Sequence, residues 1–261
     1  MFDRSLLVRM FGFRAAFLHG DAMMFDRWRF VCRHLPRTGN GERLFDVGCG
    51  TGAFTIGAAQ RGYEAVGLSW DERNQRVAQE RARICGADKA SFPIGDARQL
   101  DALTGHAGAY DYVLSLENIE HILDDRKLIT DLAACLKPGG WLLLSTPNHN
   151  YRAVTPEDDG PFEREEHGWH VRRGYTPAML RKLAAEAGLM VEECGSCSGW
   201  FSQKLTWLMR RLRWAGWLLA LPLRILPPVL DLTVRRLFAY PDFSVTLVAY
   251  KPRFGDQAGT R

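Results

Sequence analysis

The most apolar region of this chain has no run long enough to cross a bilayer. Its longest uncharged run, Trp214–Leu223, has ten residues, where a spanning helix needs about twenty. A strong charge of one sign is missing too. Thirty-four Lys and Arg against thirty Asp and Glu leave a net charge of +4, too little for a nucleic-acid-binding surface. Cysteine is sparse: Cys32, Cys49, Cys85, Cys135, Cys194 and Cys197 are scattered through 261 residues. That spread disfavours a disulfide framework and suits a reducing, cytosolic setting. Cys194 and Cys197 form a lone CxxC, a weak metal or redox signal without further ligands. The HExxH spacing is absent, and no metal is expected. The basic, apolar start is broken by Arg4, Arg9 and Arg14, too often for a signal-peptide core.

What is present begins with Leu7, Met10, Phe11, Ala15 and Leu18, spaced as on an amphipathic helix. A second helix is expected from about Asp21 to Leu35, stopped by Pro36. The most informative stretch is LFDVGCGTG, Leu44–Gly52. Arg43 to Val47 reads as a buried parallel strand. Gly48, Gly50 and Gly52 then form a strand-to-helix turn, and Ala53 to Arg61 continues as helix. Glycines admit positive φ and let a ligand approach the backbone. A helix amino terminus adds free N–H groups and a positive dipole end. Two ligand classes compete for such a turn. The dinucleotide fingerprint GxGxxG would need Ala53 in place of its third glycine. The alternative is the glycine loop of the S-adenosylmethionine-dependent methyltransferases.

From about Gly41 to Glu193 the chain resembles the class I methyltransferases. The motifs stand in that family's order: DVGCGTG, EAVGLSW (Glu64–Trp70), PIGDARQL (Pro93–Leu100), YDYVLSLENIEHILD (Tyr110–Asp124) and LKPGGWLLLSTPN (Leu136–Asn148). Strands alternating with helical stretches predict a doubly wound α/β fold. The sheet is expected to have seven strands, mostly parallel, with helices on both faces and an antiparallel last strand. Ligands of such sheets bind beyond the carboxyl ends of the strands. The resemblance implies S-adenosyl-L-methionine as cofactor and S-adenosyl-L-homocysteine as product. It places Asp46, Gly48, Cys49, Gly50 and Gly52 around the methionine end, with Ser69, Trp70, Ala97 and Glu117 completing the site. It makes Asp96 the acceptor for the adenine amine, although Gly-Asp-Ala-Arg also reads as a helix N-cap. Ser69 departs from the family, which usually has there an acid that grips both ribose hydroxyls.

Methyl transfer from a sulfonium is an in-line displacement that needs an aligned acceptor, and a hydroxyl acceptor benefits from a base. Histidine is the natural base near neutral pH. His121 in ENIEH, His149 in STPNHN and His170 in EREEHGWHVRRGYTP (with His167 beside it) are the candidates, and Glu117 and Glu120 could orient them. Each could equally be a loop histidine that only makes hydrogen bonds.

The chain divides into a helical cap (1–40), the cofactor-binding domain (41–198 and 242–252) and an insertion (199–241) before the last strand. The insertion contains Trp200, Trp207, Trp214 and Trp217. Between Lys204 and Arg236 it has seven basic residues and a single acid, Asp231. Pro222, Pro227 and Pro228 interrupt it. Such composition suits a helix lying in a membrane interface, and equally a hydrophobic cap or a dimer surface. The expected partner is a hydrophobic or lipid-linked small-molecule acceptor: a polyprenyl-linked sugar, a quinone precursor or a glycolipid. No nucleic-acid partner is expected, and the oligomeric state is unassigned. The expected site of action is the cytoplasmic face of a membrane. The quinone-biosynthesis O-methyltransferases share the Glu-His turn. A nicotinamide oxidoreductase and a catalytically silent membrane-binding module are the alternatives.

Overall fold

The computed structural model describes residues 4–18, 20–166, 168–225, 230–231, 233–234 and 238–253. His167, Pro227, Pro228, Arg235 and Arg236 lie outside the described residues.

Seven strands make one sheet: β1 (Arg43–Val47), β2 (Glu64–Leu68), β3 (Ala90–Ser91), β4 (Tyr110–Leu116), β5 (Leu136–Pro147), β6 (Met190–Cys197) and β7 (Ser244–Tyr250). Their order is β3-β2-β1-β4-β5-β7-β6. The first five strands pair in parallel, and β7 runs antiparallel between β5 and β6. This is the sheet expected from the sequence. Apolar layers cover both faces, so β1 is apolar on both sides apart from Arg43 at its start and Asp46. Leu44 joins the layer with α3 (Ala53–Ala59) and α4 (Glu72–Ile84). Its neighbour Phe45 points the other way, toward α5 (Asp125–Cys135) and α6 (Pro177–Glu186). Asp71, Asp124 and Thr176 cap α4, α5 and α6 through backbone N–H groups.

The amino-terminal helix is shorter than expected. It is α1 (Leu6–Phe11) and stops at Gly12, whose φ of 71° suits glycine. A 3₁₀ turn, Phe13–Leu18, follows. The next helix, α2 (Met24–His34), lies within the predicted span. The third strand has shrunk to two residues, extended by an isolated bridge between Ser69 and Ile94.

The insertion is helical over Trp200–Ala220 and packs on the amino-terminal segment. Ala22 meets Leu205 and Ala220. The buried Arg224 guanidinium donates to the carbonyls of Leu18 and Gly20, both at 3.1 Å. Ser202 donates its hydroxyl to Asp26 at 2.6 Å. Among the described residues, no helix is long and apolar enough to cross a membrane.

Candidate active site

Strand order reverses between β1 and β4, and a cleft opens beyond their carboxyl ends. Three connected hollows of about 240, 340 and 310 Å³ run along it. The first and second share Gly48 and Gly50. The second and third share Trp70, Ala97, Asn118, His121 and Gly168.

The glycine turn forms the floor. Gly48, Gly50 and Gly52 have φ of 85°, 53° and 77°, the left-handed region that favours glycine. Their surroundings differ. A Cβ on Gly50 would meet open space, whereas one on Gly52 would strike Ala78 and the Phe92 ring at 2.8 and 2.7 Å. Gly50 therefore borders the hollow, and Gly52 serves helix-to-strand packing. Cys49 turns inward, with its Sγ 3.4 Å from Gln75 Oε1. Asp46 is buried under the turn and accepts from the Thr55 hydroxyl at 2.7 Å. Burial pushes its carboxyl up to about 6, against the opposing pull of Thr55.

The end of β2 supplies Ser69 and Trp70. Ser69 Oγ accepts from the Asp71 N–H at 3.3 Å. Trp70 is 65% exposed at the cleft edge. The Asp71 carboxylate lines the cleft but also caps α4 and holds Arg73. Asp96 does act as an N-cap, accepting from the Arg98 N–H at 2.9 Å. It also pairs with the Arg98 guanidinium, whose hydrogen bonds hold its carboxyl below the usual range. Arg98 in turn reaches Glu166 at 2.9 Å. Asp96 and Ala97 line the cleft together with Glu166.

The end of β4 carries backbone strain into the cleft. Glu117, a non-glycine residue, has φ of 51°, a cost that functional sites often retain. Its Oε1 accepts from Ser145 at 2.9 Å and Ser244 at 3.1 Å. Its Oε2 lies 3.4 Å from Arg27. Arg27 is buried in the first hollow beside Gly48 and Gly50. Burial works against its charge, but Glu117 and Asp21 outweigh that and hold the guanidinium protonated. Sequence reading missed Arg27. It sits well upstream of the glycine turn in an arginine-rich helix, where nothing separates it from Arg29 or Arg33.

Glu120 is fully buried, accepting from Thr146 at 3.0 Å, and burial followed by Glu117 raises its carboxyl well above the ordinary value. His121 and His170, far apart in sequence, meet edge to face with ring centroids 4.8 Å apart. Burial lowers both imidazoles, His170 to about 4 with His121 adding to the effect. The His121 Nδ1 is buried without a hydrogen-bond partner among the described residues. Trp169 stacks on His170 at 5.3 Å. The ligand atoms of Glu120, His121 and His170 all lie within 4.8 Å of one another, a set able to hold a metal ion. No metal was expected from sequence spacing, which could not register groups brought together from two separate loops. His149 stays apart, exposed, with its backbone carbonyl taken by Arg173 at 3.0 Å.

The donor set fits an adenosyl sulfonium ligand. The glycine floor and Arg27 suit an amino-acid end. The planar Trp70 ring, with Ala97 and Asp96 beside it, suits a base, and Ser69 with Asp71 suits a ribose.

A family model described as a methyltransferase domain matches residues 21–193. The ubiquinone biosynthesis O-methyltransferase of Leptothrix cholodnii is 35% identical over 111 residues, covering 42% of this chain and 46% of that protein. That of Marinobacter nauticus is 37% identical over 159 residues, covering 59% and 66%. The matches to the first such relatives thus span under half of their length, 46% and 44%. In structure, a Haemonchus contortus phosphoethanolamine N-methyltransferase 2, in complex with S-adenosyl-L-methionine, superposes with a TM-score of 0.63 at 16% identity. It covers 97% of this chain and 61% of that one, and shows the shared fold. With its sheet order, glycine turn and matched region, the chain belongs to the methyltransferase domain family, the class I S-adenosylmethionine-dependent methyltransferases.

Proposed function

We propose that the protein transfers a methyl group from S-adenosyl-L-methionine to an oxygen of a hydrophobic, lipid-linked acceptor: a polyprenyl-linked sugar, a quinone precursor or a glycolipid. The observation that carries this reading is one cleft with two ends of different chemistry. A glycine floor with Arg27 stands at one end, and a paired, neutral His121 and His170 at the other.

The cofactor, when bound, supplies an electrophilic methyl on sulfur. Gly48 and Gly50 let the methionine end approach the backbone, and the Arg27 guanidinium faces its carboxylate. Glu117, held by Ser145, Ser244 and Arg27, offers its remaining acceptor capacity to the ammonium. Asp96 accepts from the adenine amine, and its tie to Arg98 fixes its direction. Trp70 covers the base, and Ser69 with Asp71 takes the ribose. His121 is the best-placed base: it lines the cleft, and burial keeps its imidazole neutral to lower pH. His170 orients it, and His149 takes no part. Exposed Ile94, Leu123 and Trp169 lie next in sequence to cleft residues and favour an apolar acceptor. The ubiquinone-biosynthesis names of the relatives point to the same class of acceptor. A metal at Glu120, His121 and His170 is a second reading of the base. There the cation would lower the pKa of an acceptor hydroxyl in place of proton abstraction.

Calorimetric titration with S-adenosylhomocysteine, beside NADH, tests the cofactor site. Micromolar binding of the first, lost in Asp96→Ala, is the expected result. Binding of NADH alone would overturn the reading. Methyl transfer to a prenylated catechol, assayed with and without chelator, then tests the acceptor and separates base from metal.

A further inference from the structure

The helix at Trp200–Ala220 is not a straight rod. Arg213 breaks it with φ 52° and ψ −125°. A Cβ on Gly216 would stand 2.2 Å from the carbonyl oxygen of Leu208, eight residues earlier. In a straight helix eight residues span about 12 Å. The chain therefore doubles back at Arg213, and Gly216 lets the two arms touch.

The turn of this helical hairpin is left uncovered. Residues 211–214 are all exposed, and Trp214 is 76% exposed. Leu218 and Leu219, on the returning arm, are more than half exposed. Exposed tryptophan and leucine gathered on one hairpin mark an interaction site. Its charge says with what. From Gly199 to Arg224 there are five basic residues and no acid. Two of them are committed inward: Arg210 holds Asp158 at 2.9 Å, and Arg224 holds the carbonyls of Leu18 and Gly20. Lys204, Arg211 and Arg213 remain exposed.

We propose that this hairpin docks the protein on an anionic lipid surface, with Leu212, Arg213 and Trp214 entering the headgroup layer. The docking deepens the lipid-linked acceptor reading above but does not depend on cofactor binding. Tryptophan and leucine enter the apolar boundary while arginine meets phosphate, the division of labour of an interfacial helix. A second copy of the chain fits less well, because a two-fold contact would set the same cations against themselves. The outgoing arm of the hairpin reaches toward the cleft: Arg210, three residues before the turn, and its partner Asp158 both act electrostatically on His170. A docked hairpin thus brings the cleft close to the bilayer, where a lipid-linked acceptor is held.

The test is flotation of the full chain with phosphatidylcholine vesicles, with and without phosphatidylglycerol. The chain is expected to float with the anionic vesicles and to be released by salt. Each tip cation near the surface contributes about 1 kcal/mol, or about fivefold. Arg211→Ala with Arg213→Ala is therefore expected to weaken anionic-vesicle binding about 30-fold, and Trp214→Ala to weaken it further. S-adenosylhomocysteine affinity, read by calorimetry, should stay unchanged in these variants, which shows that they fold. Three results would overturn the proposal: a cofactor-binding wild-type chain that fails to float, equal flotation of the double variant, or a dimer that Trp214→Ala dissociates. Failure of the methyltransferase reading would appear elsewhere, as lost cofactor binding or lost methyl transfer with flotation intact.

Discussion

Asp46 gives the sharpest test of how the cleft is built. It is 1% exposed, and burial pushes its carboxyl from 3.8 up to about 6. The folded state therefore binds a proton more tightly than the unfolded chain does. Stability from this residue is fully present below pH 3.8 and is lost as pH rises through 6. At pH 7 the ionised carboxylate costs about 3 kcal/mol, at about 1.36 kcal/mol for every tenfold gain in proton affinity between 3.8 and about 6. Asp46→Asn removes that cost. The neutral amide has one acceptor oxygen where the carboxylate has two and holds the Thr55 hydroxyl and backbone N–H less strongly, which returns about 1 kcal/mol. Without cofactor, the variant should be about 2 kcal/mol more stable than wild type at pH 7.5 in urea unfolding. At pH 5 the cost falls to about 1.6 kcal/mol, so the advantage should shrink to well under 1 kcal/mol. Cofactor affinity should fall in the same variant. An Asp46→Asn protein less stable than wild type at pH 7.5, or a gap that does not change with pH, would refute the reasoning.

Other outcomes follow from single contacts. Arg27→Leu takes from Glu117 its buried cation and leaves it only the Ser145 and Ser244 hydroxyls; it should destabilise the fold by about 3 kcal/mol and weaken S-adenosylhomocysteine binding, read by calorimetry. With burial lowering both His121 and His170, the imidazoles stay neutral to lower pH than usual. The acid limb of kcat/KM should therefore lie below pH 6.5, and His121→Ala should abolish it along with most of the rate. Gly216→Ala sets a methyl 2.2 Å from a backbone carbonyl and should cost about 1–3 kcal/mol of stability in thermal unfolding.

Much of the sheet was legible because its signals are local. β1 was expected at Arg43–Val47 and stands there, since apolar residues, an acid and three glycines in nine positions admit little else. β4 and β7 likewise announce themselves as short apolar runs. What escaped depends on pairs remote in sequence or on backbone detail. Arg27 becomes part of the cleft only when its helix lies over Glu117. The meeting of His121 with His170 needs a loop folded over the end of β4. The break at Arg213 lies in a stretch of good helix formers without proline, and Gly216 was the lone hint. Asp96 was read both as an acceptor and as a cap. The cap is visible, and Arg98, two residues on, adds a partner that spacing alone did not suggest.

The hydroxyl of Ser202 lies 2.6 Å from Asp26 and 3.1 Å from Asp231. One small side chain thus stands between two acids that come from opposite ends of the chain. Asp26 is the immediate neighbour of Arg27, so the insertion reaches the cofactor cleft through a single residue step. Trimming 199–241 to obtain a smaller enzyme would take from Asp26 its Ser202 hydroxyl and uncover the helix that presents Arg27. In any circular permutation, domain graft or minimal catalyst built from this fold, the first forty residues and the insertion must travel together.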